Sequence, residues 1–172
     1  MRIGVKAVGP GSSRVRDVQP GTRVAIEGPF GRLTARAQTQ RKVALLGAGV
    51  GITPIRALAE SLPYAPDEAI VLQRYSRDPL FADEFIDLAQ SRGLRLLWLP
   101  GQRRWSGSCF GSDVDPNADD ASVLLRMIPD IAERDVYLCG PPAWSAAVKS
   151  ALTLAGVPQK QVHAENFQLV KS

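Results

Sequence analysis

A short apolar run followed at once by a glycine-rich bend is the feature that most limits how this chain can fold. Residues 43–46 are continuously apolar, as expected for a strand that is buried on both faces. The bend Gly47-Ala48-Gly49-Val50-Gly51-Ile52-Thr53-Pro54 comes next, and a helix is predicted from about residue 55 to 62, with Pro54 suited to its first turn. A strand, a tight turn and a helix in this order are typical of α/β folds built on a parallel sheet.

The same alternation of strand-like and helix-like segments continues towards the C-terminus. Further strands are predicted at residues 69–72, 94–99, 134–139 and 161–169, and helices at residues 81–91 and 143–155, the latter stopping at Gly156. Residues 102–121 have no periodicity, so we expect a long surface loop there. The pattern predicts a parallel sheet with crossover helices.

The first forty residues follow a different pattern. Short β-like runs at residues 2–8, 23–27 and 33–36 are separated by turn-rich stretches at 9–13, 19–21 and 28–31, which favours antiparallel strands. Three short strands without a helix cannot bury both faces of a sheet. We therefore expect residues 1–40 to be a fragment of a β-domain whose earlier strands are absent from this chain, and residues 41–172 to form the α/β domain.

Composition excludes several broad classes. The chain has 172 residues, of which 45% are hydrophobic and 22% charged, as in globular proteins. No apolar run reaches the roughly 18 residues of a membrane helix, and the N-terminus lacks the apolar core of a secretory signal. Two cysteines form neither a disulfide framework nor a zinc site, which favours a reducing, cytoplasmic compartment. A net charge of only +4, with scattered basic residues, disfavours nucleic-acid binding.

The glycine-rich bend predicts a phosphate-binding site. In a doubly wound fold this turn holds a dinucleotide pyrophosphate, because glycines let the backbone approach the phosphates and the helix start offers unpaired N–H groups. Gly47, Gly49 and Gly51 would form the turn, and Thr53 would add a hydroxyl donor. The spacing matches neither the G-x-G-x-x-G fingerprint nor a P-loop, and a plain tight turn is the alternative.

The end of the second predicted strand carries Gln73-Arg74-Tyr75-Ser76-Arg77. In a dinucleotide fold this strand end faces the adenosine ribose, where an arginine accommodates a 2′-phosphate. Two arginines and a serine therefore favour NADPH over NADH, the alternative being a solvated strand end.

The predicted strand at 134–139 brings Cys139 to the same edge of the sheet, with Gly140, Pro141 and Pro142 shaping the next turn. A nucleophilic cysteine needs a paired histidine, and the only histidine, His163, lies in the last predicted strand. Cys139 is therefore interpreted as a small residue packed against a flat ring. Alternation in the last strand places His163, Glu165 and Phe167 on one face.

Four motifs follow one another along the chain: Glu27-Gly28-Pro29-Phe30-Gly31, the bend 47–54, Cys139-Gly140-Pro141-Pro142 and Glu165-x-Phe167. Together, in this order, they resemble the ferredoxin–NADP reductase superfamily. The resemblance covers nearly the whole chain and is closest to ferric-reductase-like and flavocytochrome-type members related to NADPH oxidases. It implies a five-stranded, parallel, doubly wound NAD(P)-binding sheet preceded by the last strands of an FAD-binding β-barrel.

The resemblance also implies a role for each matching residue. Cys139 and Glu165 would shape the stacking site of the nicotinamide and flavin rings and stabilise the charge that shifts during hydride transfer. The cofactor-binding residues would be Gly47, Gly49, Gly51, Thr53 and Pro54 at the pyrophosphate, Arg74, Ser76, Arg77, Arg103 and Arg104 at the adenosine end, Gly140 and Pro141 beside the nicotinamide, Phe167 at the flavin ring, and Ser12 and Ser13 at the flavin phosphates.

Two departures from the family pattern stand out. The Arg-x-Tyr/Phe-Ser/Thr element that holds the flavin is absent, because its part of the barrel would precede Met1. Pro142 is followed by Ala143 and Trp144, where relatives often have a small residue and then Met or Phe.

The resemblance implies a module that binds NAD(P)H and passes hydride from NADPH to FAD, and then electrons to a haem, an iron–sulfur centre or ferric iron. Without most of the flavin site, this fragment is expected to be inactive by itself, and any membrane attachment would lie upstream of Met1. The alternatives are a nucleotide-binding domain without activity of its own and a reductase component that serves a separate ferredoxin or oxygenase. An ordinary Rossmann dehydrogenase is disfavoured, because no convincing catalytic base is present.

Overall fold

A computed structural model describes residues 3–28, 31, 33–103, 105, 107–111 and 117–166. The strands are β1 (Val43–Ala48), β2 (Ala69–Arg74), β3 (Arg95–Leu99), β4 (Asp135–Gly140) and β5 (Val162–Asn166). The α-helices are α1 (Pro10–Ser13), α2 (Ile52–Ser61), α3 (Ala82–Arg92), α4 (Asp120–Met127) and α5 (Pro142–Leu154). Short 3₁₀ turns occur at Arg14–Asp17, Ala35–Ala37, Gly49–Gly51, Ile131–Glu133 and Gln159–Gln161.

The five strands form one parallel sheet in the order β3-β2-β1-β4-β5. The chain therefore builds outward from β1 to β3, then returns and adds β4 and β5 on the other side of β1. The boundary between β1 and β4 is the point at which the strand order reverses, and ligands of open α/β sheets bind beside such a point. The α/β prediction with five parallel strands is confirmed.

The core lies on both faces of the sheet. Side chains of α4 and α5 pack with one set of strand residues, which includes Leu46, Leu72 and Leu138. Side chains of α2 and α3 pack with the alternate set, which includes Leu45 and Val71. Every residue of β1 is buried, which explains why its sequence is continuously apolar rather than alternating.

The predicted strands from residue 43 onward are confirmed within a few residues. The structure differs from the prediction at two helices, α2 and α4. Helix α2 begins at Ile52 and contains Pro54 in its first turn, so the helix starts earlier than expected. Helix α4 was not predicted, and it begins inside the segment 102–121 that was expected to be a loop. Its N-cap Asp119 accepts a hydrogen bond from the Ser122 N–H, which is the local signal for this helix start.

The antiparallel strands expected in the first forty residues are wrong wherever the structure describes them. Residues 3–8 and 23–27 form no strand, and Ala35–Ala37 is a 3₁₀ turn. β-type alternation alone does not form a sheet, because each strand needs a partner for its N–H and C=O groups. The boundary between two domains at residue 40 remains a prediction, and residues 167–169 of the last predicted strand lie outside the described residues.

Residues 33–40, which we call the connector, lie along the face of β4 and β5 and lead into β1. The Tyr137 hydroxyl donates to the Thr34 carbonyl over 3.2 Å. At the other end the buried Asp135 carboxylate accepts from the backbone N–H groups of Thr39 and Gln40, and lies 3.1 Å from His163 Nε2. Among the described residues, no helix is long and apolar enough to cross a membrane.

Candidate functional site

A cavity of about 920 Å³ lies at the carboxyl ends of β1 and β2. Its wall includes seven residues that the sequence assigned to a dinucleotide site or its turn: Gly49, Thr53, Arg74, Ser76, Arg77, Arg103 and Pro141. Arg104 and Phe167, two further predicted site residues, lie outside the described residues. Ser12 and Ser13 belong to α1 and are not part of this wall.

The glycine turn forms the part of the wall above β1. Gly49 has a positive φ of 54° and open space where a side chain would point, so its backbone can be approached closely. Gly51 packs so closely on β4 that a Cβ atom there would overlap the carbonyl of Cys139. The glycine turn and the end of the strand that carries Cys139 are therefore in direct contact.

Cys139 occupies the end of β4, opposite Gly47 on β1 and Glu165 on β5. Its side chain is fully buried, and it is not one of the residues that line the cavity. Burial, followed by the nearby Glu165 carboxylate, raises the pKa of the Cys139 thiol to about 12. The thiol is therefore protonated at neutral pH, which agrees with a packing role and disfavours a nucleophilic one.

Glu165 lies against the turn that begins the connector. Its Oε1 atom accepts a hydrogen bond of 3.2 Å from the Leu33 N–H, and a Cβ atom at Gly31 would overlap its carboxylate. Two motifs that are 134 positions apart in the sequence, at Gly31 and Glu165, thus meet beside Cys139. Sequence spacing contains no signal for this contact.

Arg74 has a different environment from the solvated strand end considered above. It is 7% exposed, and its guanidinium donates hydrogen bonds to the carbonyls of Leu99, Pro100 and Gly101, at 3.1, 3.1 and 2.8 Å. The side chain thereby holds the end of β3 beside β2. Its predicted contact with adenosine remains a prediction, whereas Ser76 and Arg77 are exposed at the cavity.

Two further wall residues, Gln73 and Trp144, were not assigned as site residues from the sequence. The Gln73 amide donates to the Leu80 carbonyl over 3.1 Å, while its Oε1 is buried and has no hydrogen-bond partner among the described residues. Trp144 is 3% exposed and packs against Gly140. Trp144 stood out in the sequence only because the residues after Pro142 depart from the family pattern. Gln73 was given no role in the site from the sequence.

The fold and the cavity define a class of protein. The chain is an open, parallel α/β domain with a ligand-sized cleft at the point where the strand order reverses, which is where dinucleotides bind in such folds. The wall combines a glycine turn at a helix start with basic side chains at the ends of β2 and β3.

Comparisons with known proteins show which proteins the chain is similar to. The ferredoxin reductase component of 3-ketosteroid-9-alpha-monooxygenase from Mycobacterium tuberculosis is 30% identical over 157 residues, which are 90% of this chain and 41% of that protein. The reductase component of propane 2-monooxygenase from Rhodococcus jostii is 25% identical over 163 residues, 87% of this chain and 42% of that protein. A flavohemoglobin structure from Malassezia yamatoensis, with bound FAD and heme, matches with a TM-score of 0.63 and 19% identity over 96% of this chain and 43% of that one. No family model matches the chain.

The chain is similar to these reductase components over most of its length and has the ferredoxin reductase-like NAD-binding fold, so the predicted resemblance to the ferredoxin–NADP reductase superfamily is confirmed. It spans about two fifths of the length of these curated relatives.

Proposed function

We propose that this chain binds NAD(P)H as the nucleotide-binding part of a flavin-dependent reductase, in which hydride passes from NADPH to FAD and electrons then pass to a separate acceptor. The observation that carries this proposal is the cavity at the switch point, bounded by the glycine turn and by Ser76, Arg77 and Arg103. Two relatives named as reductase components of monooxygenases support the redox class.

The wall residues offer a matching group for each part of a dinucleotide. The pyrophosphate would lie on the backbone N–H groups around Gly49 and at the start of α2, with the Thr53 hydroxyl as a further donor. Arg77 and Arg103 would hold a 2′-phosphate at the adenosine end, because guanidinium groups bind phosphate through two parallel hydrogen bonds. The nicotinamide would lie at Pro141, beside the turn that covers Cys139.

FAD, when bound, accepts a hydride and releases electrons singly. Glu165 lies opposite Cys139 on the neighbouring strand, and its carboxylate accepts a hydrogen bond from the Leu33 N–H. In this position the carboxylate would order the backbone between the nicotinamide site and the flavin site. We assign residues 1–40 to a flavin-binding domain and residues 41–172 to the NAD(P)-binding domain. The acceptor would be an oxygenase, a ferredoxin or a haem domain, and the compartment the cytoplasm, where the two buried cysteines stay reduced.

Of the two kinds of flavin-dependent reductase considered, a reductase component that serves an oxygenase is favoured over a ferric reductase. Oxygenase reductase components are prominent among the relatives, including those with 30% and 25% identity and a glycine betaine monooxygenase reductase subunit from Chromohalobacter salexigens with 27%. We also propose that this chain binds the nucleotide without oxidising it, because hydride transfer requires a flavin ring aligned within roughly 3.5 Å of the nicotinamide.

The test is a calorimetric titration of the purified chain with NADPH and with NADH, for the wild type and for three arginine variants. Arg77→Ala should weaken NADPH binding on the order of tenfold and leave NADH nearly unchanged, since it removes only a charged hydrogen-bond donor to the 2′-phosphate. Arg74→Ala should weaken both nucleotides alike, because Arg74 supports three carbonyls of the cavity rim.

Arg36→Ala is the matched control, because Arg36 is exposed and lies outside the cavity wall. Absence of binding of either nucleotide to the wild type would contradict the proposed function. A steady absorbance at 340 nm in the presence of NADPH and added FAD would support the proposed inactivity of this chain alone.

A further inference from the structure

The Trp144 side chain connects the two ends of the cavity. It lies in the first turn of α5, directly after the turn at Pro141, and its six-membered ring covers Gly140 so closely that a Cβ atom there would lie 2.6 Å from Cε3. The indole also belongs to the cavity wall. The position of the indole relative to Gly140 and Pro141, the end of the cavity at which the nicotinamide ring would lie (the ring end), is therefore fixed by packing against the backbone.

The opposite edge of the indole holds the segment that follows β3. Trp144 Nε1–H donates a buried hydrogen bond of 3.0 Å to the Cys109 carbonyl. The N–H of the same residue, Cys109, donates to the Asp120 carboxylate over 2.6 Å, and the Ser108 hydroxyl donates to it over 2.8 Å. Both backbone polar groups of Cys109 thus have fixed partners, one on α5 and one on α4.

This segment carries Arg103 at its beginning. Arg103 pairs with Gly111 through an isolated antiparallel bridge, so the two ends of residues 103–111 lie side by side. Gly101 and Arg103 line the cavity, and the Gly101 carbonyl accepts from Arg74. A shift at Cys109 would therefore be passed to the cavity wall through residues 110 and 111 and the bridge between Gly111 and Arg103.

We propose that Trp144 is a positioning residue for nucleotide selectivity: its indole N–H sets residues 109–111, and with them Arg103, which is bridged to Gly111, relative to the turn at Gly140 and Pro141. The proposal rests on the proposed function, since it requires that the cavity take a dinucleotide whose 2′-phosphate meets Arg103. Loss of the N–H removes the Trp144 hydrogen bond to the buried Cys109 carbonyl and so weakens the attachment of Cys109 to α5. The ring end of the cavity is unaffected as long as an aromatic ring still covers Gly140.

The test uses Trp144→Phe, which keeps an aromatic ring and removes the N–H donor, together with Arg103→Ala and the double variant. Dissociation constants for NADPH and NADH are measured by calorimetry on the full chain. Trp144→Phe should weaken NADPH roughly fivefold more than NADH, the usual effect of one lost hydrogen bond. In the Arg103→Ala background the same substitution should cause no further selective loss, because it acts through Arg103.

Two additional variants separate positioning from general destabilisation. Asp120→Asn weakens the attachment of the same segment from the side of α4 and should reproduce the selective loss without touching the indole. Ser145→Ala is the control, because Ser145 follows Trp144 in α5 but its hydroxyl contacts the Gly140 carbonyl and not the segment. It should leave the ratio of the two dissociation constants unchanged.

Each outcome decides between the alternatives. Equal weakening of NADPH and NADH by Trp144→Phe, or additive effects with Arg103→Ala, would overturn the inference and leave the proposed function standing. The same holds if the wild type binds both nucleotides equally. A wild type that binds neither nucleotide would overturn the proposed function and the inference with it.

Discussion

Cys139 illustrates how the fold sets the chemistry of a single side chain. Its position at the end of a strand, beside a glycine turn, was predictable from the sequence. Its buried state and its neighbour Glu165 were not, because they depend on which strand becomes the neighbour of β4. Burial and the carboxylate together raise the pKa of the thiol to about 12 and make it a poor nucleophile.

The folded chain should therefore resist alkylation at Cys139. A rise of the thiol pKa from 9.0 to about 12 lowers the thiolate fraction near pH 8 on the order of a thousandfold. We expect mass spectrometry to show no iodoacetamide adduct at Cys139 at pH 8 in the folded protein and rapid modification in urea. Rapid modification without denaturant would contradict the buried position.

The same pKa shift predicts how stability depends on pH. Because the pKa is raised in the folded state, the contribution of the protonated thiol is complete below pH 9 and is lost as pH rises from about 9 to 12. Cys139→Ser, which does not ionise in this range, should flatten the fall in the free energy of unfolding between pH 9 and 10. Tyr137, whose pKa is also raised by burial to about 12, adds a similar loss only above pH 10.

Other residues show where sequence reasoning stops. Arg74 and Arg77 were equivalent in the sequence, but the end of β3 lies within reach of Arg74 and turns it into a structural donor. Glu165 was predicted to lie near the rings, and its contact with the connector follows only from where Gly31 and Leu33 lie in the folded chain. Such partners are set by the tertiary fold, which local patterns do not encode.

At the scale of elements, the apolar runs and the turn residues predicted the sheet because they report burial directly. Each strand from β1 to β5 has neighbours and helices that bury it, so local preference and tertiary packing agree. Helix α4 is only eight residues long and follows an irregular acidic stretch, which explains why periodicity missed it. The β-like runs near the N-terminus have no partner strand among the described residues, and there propensity alone was misleading.

The turn between β1 and α2 leads to a sharp prediction about substitution. Gly51→Ala places a methyl group on the Cys139 carbonyl, where neither backbone can yield without separating β4 from the turn. We expect a loss of about 2–3 kcal/mol in the free energy of unfolding, measured by urea denaturation, together with weaker nucleotide binding. Gly11→Ala is the control, since a Cβ atom at Gly11 meets nothing within 4 Å. Equal effects of the two variants would show that the close approach of the turn to β4 is not required.

At the scale of the whole molecule, two parts of the chain differ in how they are held. Residues 43–166 contain the entire sheet and both core clusters, with β1 and β4 fully buried. Residues 3–28 are largely exposed, and the apolar side chains of Ile3, Val5, Val24 and Ile26 are 64, 48, 65 and 58% accessible. Nevertheless, the two parts meet at the cavity, where Gly4 packs on Thr53 and residues 4–6 form part of the wall.

Hydrogen exchange should separate these parts and report the ligand site at the same time. Amides of β1 and β4 should exchange slowest, since their opening requires global unfolding, whereas amides of residues 3–28 should exchange within seconds because few of them are hydrogen-bonded. NADPH at a hundredfold excess over its dissociation constant should stabilise the folded chain by about 2.7 kcal/mol and slow exchange in the sheet accordingly. It should also protect the cavity wall locally at residues 4–6, 49, 50, 53 and 101–103, because these residues line the cavity. Protection of the sheet without protection of residues 4–6 would show that the N-terminal segment takes no part in the nucleotide site, and the wall would then consist of the α/β domain alone.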